Sequence, residues 1–192
     1  MTAAVQTPAA VYLPHLTNGD GAAAARSHRA THPEAVLVQF EGGNYNSQAV
    51  AKRDFRKGDV VARFNHATLT DAIRYSTVQV AEDKHIELNS DLLYCNHSCD
   101  PTLIFNVSGG STPQDWFAAA ARDIKAGEKL TFCTRRLVLY PSTEWHMTQP
   151  FQCECGAQAC LGTIAGAQHL TDAQLAPFFL NDHIHRLKAK SA

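Results

Sequence analysis

No stretch of this chain approaches the roughly 20 consecutive apolar residues that a membrane-spanning helix needs, so no membrane partner is expected. The opening residues, MTAAVQTPAAVYLP, lack a basic segment followed by a continuous apolar one, which argues against a secretory signal. Net charge is nearly absent as well, with 17 Lys and Arg against 18 Asp and Glu. Without a concentrated basic footprint, direct sequence-specific nucleic-acid binding is not expected, nor tight non-specific binding. The local basic clusters at Arg135–Arg136 and from Arg186 to Lys190 read as exposed polar faces. There is no internal repeat, and almost no helical periodicity before the C-terminal end.

The remaining composition is that of an ordinary globular chain, 45% apolar and 18% charged over 192 residues. That length fits one domain with small appendages, and a folded part of roughly 150 residues buries about 70% of its unfolded surface. Residues 1–33, rich in Ala, Thr, Pro and Gly, are expected to form a flexible leader. Short β-like runs then follow closely. EAVLVQF is the first, and QAVAKRDFRKGDVVARF reads as strand, turn at Lys57-Gly58-Asp59, and strand. STVQVAEDKHIEL alternates around an acidic turn as a hairpin does, and TLIFNV and DWFAAAARDI are further strands. KAGEKLTFCT repeats the turn-then-strand pattern of RKGDVVARF. Such spacing predicts a mostly β domain. At the end, LTDAQLAPFFLNDHIHRLK predicts a helix capped by Thr171 or Asp172, with Leu175, Phe178, Phe179 and Leu187 on its apolar side. Pro177 would kink it. His183 and His185 alternate on that helix, so they point apart and are expected at the surface.

Six cysteines in such a chain point to metal or thiol chemistry in a reducing, intracellular compartment, nucleus or cytoplasm. Cys153, Cys155 and Cys160 follow the spacing C-x-C-x4-C, which brings sulfurs onto one ion more easily than it forms an unstrained disulfide. The alternative is one disulfide plus a buried thiol. A tetrahedral zinc site needs one further ligand from elsewhere. Cys99, in the stretch YCNHSCDPTLIFN, is the leading candidate, with Cys95 and Cys133 as alternatives.

NHSCDPT resembles the N-H-S-C-x-P-N motif of SET-domain protein lysine methyltransferases. CECGAQACLG resembles their cysteine-rich post-SET segment, and KAGEKLTF resembles their G-E-E-L-T-F strand. The three occur in the family's order across roughly Glu34 to Gly166. The resemblance implies a SET domain over 34–148, built of short strands in small sheets with a knot-like crossing. A zinc-bearing post-SET segment over 149–166 and a C-terminal helix and tail over 167–192 would follow. It implies one zinc site of Cys99, Cys153, Cys155 and Cys160, and S-adenosyl-L-methionine as methyl donor to a lysine ε-amine of a protein substrate, histone or not. Asn96, His97 and Leu161 match the family's cofactor contacts.

Two departures from the family pattern stand out. The glycine turn that approaches the cofactor aligns with Asn46 and Gln48, of which only Asn tolerates left-handed backbone angles readily. Thr134 occupies the usual place of the catalytic tyrosine. Either that tyrosine is lost, or an insertion around Cys133 to Val138 displaces it to Tyr140, the favoured placement. Tyr140 would then orient the amine and contact the cofactor. The departures keep other readings in view. One is a SET fold turned to small-molecule binding or cyclisation in a biosynthetic pathway, and another is a zinc-stabilised interaction module.

Overall fold

The computed structural model describes residues 28–41, 47–74, 76–132, 142–147 and 150–191. Its strands are short and fall into five small sheets. β1 (Val36–Gln39) pairs antiparallel with β2 (Gln48–Ala51). β3 (Val60–Arg63), β8 (Leu103–Asn106) and β9 (Phe117–Ala120) form a three-stranded antiparallel sheet with β9 in the middle. β4 (Thr68–Thr70), β5 (Thr77–Ala81) and β6 (Lys84–Glu87) form another, with β6 central. β7 (Asn96–His97) runs parallel to β10 (Thr131–Phe132), and β11 (Phe151–Gln152) pairs with β12 (Thr163–Ile164). The expectation of a mostly β protein with few helices and a C-terminal helix is met.

The two similar turns noted in the sequence form the same local structure and lie side by side. Gly58 and Gly127 both take positive φ, 90° and 83°. The acidic residue after each glycine folds back onto a backbone N–H three positions earlier. Asp59 accepts from Arg56 at 2.8 Å and Glu128 from Lys125 at 3.0 Å. Phe55 and Ile124, just ahead of the two turns, exchange both backbone hydrogen bonds at 2.9 Å. Each turn therefore templates the other.

The core is aromatic where strands face each other and small where they crowd. Phe105 stacks on Phe132 with ring centroids 3.8 Å apart, and Phe64 meets Phe105 edge-on at 5.1 Å. Ala118, Ala119 and Ala120 are all buried in β9, against alanine's weak preference for strands. Fit to the closely packed middle of the sheet outweighs that preference. This main core contains no residue of the cysteine segment, which joins Cys99, Met147 and Ile164 in a second cluster.

At the N-terminal side, chain within the expected leader is tied to the domain. The fully buried Asp91 accepts the N–H groups of Thr31 and His32 at 2.9 and 2.8 Å, and its other carboxylate oxygen lies 3.1 Å from His28 Nε2.

The C-terminal end departs from expectation in two ways. Pro177 divides the expected single helix into α1 (Asp172–Leu175), capped by Thr171, and α2 (Asp182–Ser191). The buried residues of α2 are His183 and Ile184, so His183 is no surface residue. Its Nε2 lies 2.6 Å from the Thr143 carbonyl oxygen, a tertiary partner that helix periodicity cannot reveal. Among the described residues no helix is long and apolar enough to cross a membrane.

Candidate metal centre and the motif beside it

The NHSC motif is held as a two-residue strand. Asn96 and His97 lie opposite Thr131 and Phe132 of β10, and Ser98 N–H reaches the Phe132 carbonyl at 3.0 Å. The turn that follows closes through Ser98 Oγ, which accepts Asp100 N–H at 3.0 Å. Thr102, where the family motif ends in Asn, reinforces the junction. Its N–H donates to Thr131 Oγ1 at 3.1 Å and its hydroxyl oxygen accepts Thr131 N–H at 2.7 Å. A reciprocal threonine pair thus staples the chain after the motif to β10.

His97 ends this strand and Cys99 lies in the turn that follows, and their Nε2 and Sγ atoms are 3.3 Å apart. Cys99 Sγ lies 3.8 Å from Cys153 Sγ, and Cys99 N–H points at Cys155 Sγ from 3.4 Å. One donor atom from each of His97, Cys99, Cys153 and Cys155 lies within 4.8 Å of all the others. Cys160 lies outside this mutually close group but beside it, its Sγ 3.9 Å from the Cys153 carbonyl oxygen. Zn–S bonds of about 2.3 Å set tetrahedral sulfurs about 3.8 Å apart, the Cys99–Cys153 separation. Soft, closely set thiols of this kind fit zinc.

The thiols differ in character. Burial pushes Cys99 well above the ordinary thiol range and Cys153 up to about 11. Burial acts the same way on Cys155, but N–H groups of Cys99 and Ala157 and the neighbouring thiols outweigh it and bring Cys155 down to about 7. Gly156, at φ 73°, makes the turn that presents the Ala157 N–H. Leu161 donates its backbone N–H to Cys99 Sγ and packs half-buried on the same cluster.

The expected cofactor residues divide in their placement. His97 and Leu161 come together at Cys99, whereas the Asn96 side chain does not. Asn96 is half-buried and spends an amide hydrogen on the Ser47 carbonyl at 3.4 Å, which brings the start of β2 to the motif. Gln48 is next to this contact, yet its side chain pairs across the strands with Gln39 at 2.8 Å. Asn46 and Tyr140 lie outside the described residues, as do Cys133 and Thr134. Cys95 is buried on the other side of the motif, in the main core. Sequence reasoning missed His97 as a neighbour of the sulfurs, although its two-residue spacing from Cys99 carried that signal.

Comparison with known proteins bears on the family. The SET domain family model matches residues 46–133. "Methyltransferase flvH" of Aspergillus flavus is 37% identical over 159 residues, covering 83% of this chain and 84% of the relative. By these matches, and with its strands and cysteines arranged as described, the chain belongs to the SET-domain family.

Proposed function

We propose that this protein is an S-adenosyl-L-methionine-dependent methyltransferase whose acceptor is the ε-amine of a lysine in a protein partner. The observation that carries the reading is the contact of Cys99 with Cys153, Cys155 and the Leu161 N–H. It joins the cysteine segment to the motif that holds Asn96 and His97, in a family that includes a named methyltransferase. Zinc would be held by Cys99, Cys153, Cys155 and Cys160, and its chemistry there is structural, fixing a segment too short to fold alone. When bound, the cofactor supplies an electrophilic sulfonium methyl.

The chain's own contribution is placement. Asn96 is half-exposed with amide capacity beyond its Ser47 contact, which suits a polar ligand. Leu161, half-buried and tethered by its N–H, offers an apolar cover for an aromatic base. Tyr140 is proposed to orient the amine. Methylation needs the amine neutral and in line with the methyl group, so desolvation of the acceptor and orientation matter more than acid–base chemistry.

The test is calorimetry with S-adenosylhomocysteine on zinc-replete protein, followed by transfer of labelled methyl groups to a lysine peptide array and to small amines. Micromolar binding that His97→Ala abolishes, with label on lysine peptides, supports the proposal. No binding refutes it, and label on small amines alone refutes the protein acceptor.

A further inference from the structure

Three consecutive polar residues, Ser142, Thr143 and Glu144, are buried at 4%, 0% and 1% exposure, between the chain leaving β10 and the cysteine segment. Such burial is costly unless every polar group finds a partner. The Ser142 and Thr143 carbonyls and the Glu144 carboxylate find partners from the C-terminal segment and the β5–β6 hairpin, and the Glu144 carbonyl accepts Ala167 N–H at 3.0 Å.

Asn181, fully buried just ahead of α2, donates both its backbone N–H and its side-chain amide to the Ser142 carbonyl, at 3.0 and 2.6 Å. The same amide donates to the Phe105 carbonyl at 2.9 Å, and its oxygen accepts Val107 N–H at 2.7 Å. His183 holds the Thr143 carbonyl. From the other side, the Glu144 carboxylate accepts Gln79 N–H and faces His85 Nε2 at 3.4 Å. Gln79 answers by accepting Trp145 N–H at 2.8 Å. Residues 142–145 are therefore gripped between the start of α2 and the β5–β6 hairpin. Through Phe105, the grip reaches the Phe105–Phe132 stack beneath β10.

We propose that Asn181 and His183 are positioning residues: the C-terminal segment is an internal brace that fixes residues 142–145, and so sets the rate of methyl transfer without contacting cofactor or metal. The brace lies wholly outside residues 46–133, the part matched to the SET domain. Ser142 follows Tyr140, the proposed amine-orienting residue, by two positions in sequence. On this proposal a loosened anchor acts on the acceptor side of the reaction, where small misplacements are expensive. This inference rests on the methyltransferase reading above.

The test compares His183→Leu, which removes the donor to Thr143, with His183→Gln, which restores an N–H at similar reach. For His183→Leu, kcat is expected to fall about tenfold or more. S-adenosylhomocysteine affinity stays within about twofold and bound zinc is unchanged; His183→Gln recovers most of the loss. Hydrogen exchange at 142–147 accelerates in His183→Leu while β3, β8 and β9 keep their protection. Unchanged exchange at 142–147 overturns the brace whatever the activity. Accelerated exchange with unchanged kcat, or equal losses of kcat and cofactor affinity, overturns its positioning role. Wild-type protein that binds no S-adenosylhomocysteine instead removes the methyltransferase reading, and the exchange result still decides whether the brace exists.

Discussion

Stripping zinc from the metal-loaded protein should unfold the cysteine lobe and leave the main β core intact. Ordering the fifteen residues from 150 to 164 costs on the order of 22 kcal/mol, at about 1.5 kcal/mol per residue. Apolar burial returns about 12 kcal/mol: Met147 and Ile164 are fully buried at roughly 2.5 each, and seven half-buried side chains around them give about 1 each. The shortfall of about 10 kcal/mol matches the low end of what structural zinc supplies. In opening equilibria it amounts to about seven decades. The assay is hydrogen exchange before and after treatment with a strong chelator. Protection at 150–164 should vanish, while β3, β8 and β9 change by less than about threefold. A lobe still protected without metal would refute the ledger. Protection lost throughout β3, β8 and β9 would refute the separation of the two apolar clusters.

Other substitutions probe single features. Gly166 sits at φ 104° and ψ 164°, and a Cβ there would come within 2.6 Å of the Trp145 carbonyl oxygen, so Gly166→Ala should cost about 2–4 kcal/mol, read as a lowered melting temperature. Ala118→Leu inserts bulk into a fully buried position of the central strand and should cost about 1–3 kcal/mol or more in denaturant unfolding. Burial raises the Glu144 carboxyl above the ordinary carboxylate range, against the opposing pull of His85 and the Gln79 N–H. Its native form thus binds a proton more tightly than its unfolded form, and the associated stability is present at acid pH and lost as pH rises through the native value. Unfolding free energies of wild type and Glu144→Gln measured from pH 4 upward should therefore diverge, with wild type losing ground as pH rises; parallel curves would exclude this titration. Replacing Cys99 with Ser should release zinc to a competing chelator as readily as replacing Cys155 does, because both sulfurs belong to the same tight group.

The strands were legible because local signals agreed. Alternation marked β5 and β6, and Lys57-Gly58-Asp59 and Ala126-Gly127-Glu128 announced turns whose glycines do take positive φ. The cysteine trio was legible from spacing alone. Cys99 was harder: nothing local ties it to a segment fifty-odd residues downstream, so the residues left Cys95 and Cys133 open beside it until the resemblance singled it out. The C-terminal end was read least well. Its helix breaks at Pro177, and His183 is buried by Thr143 and its surroundings, long-range partners that no periodicity encodes.

The Thr102–Thr131 pair has a consequence for the neighbouring strand. A parallel junction only two residues long has little of its own to keep it from sliding, and a slide of one position exchanges the two faces of a strand. Asn96 would then turn toward the sulfurs and His97 away from them. Two hydroxyls, one on Thr131 inside the junction and one on Thr102 past its end, act as a rivet against that slide, and so help decide which ring or amide the sulfurs meet.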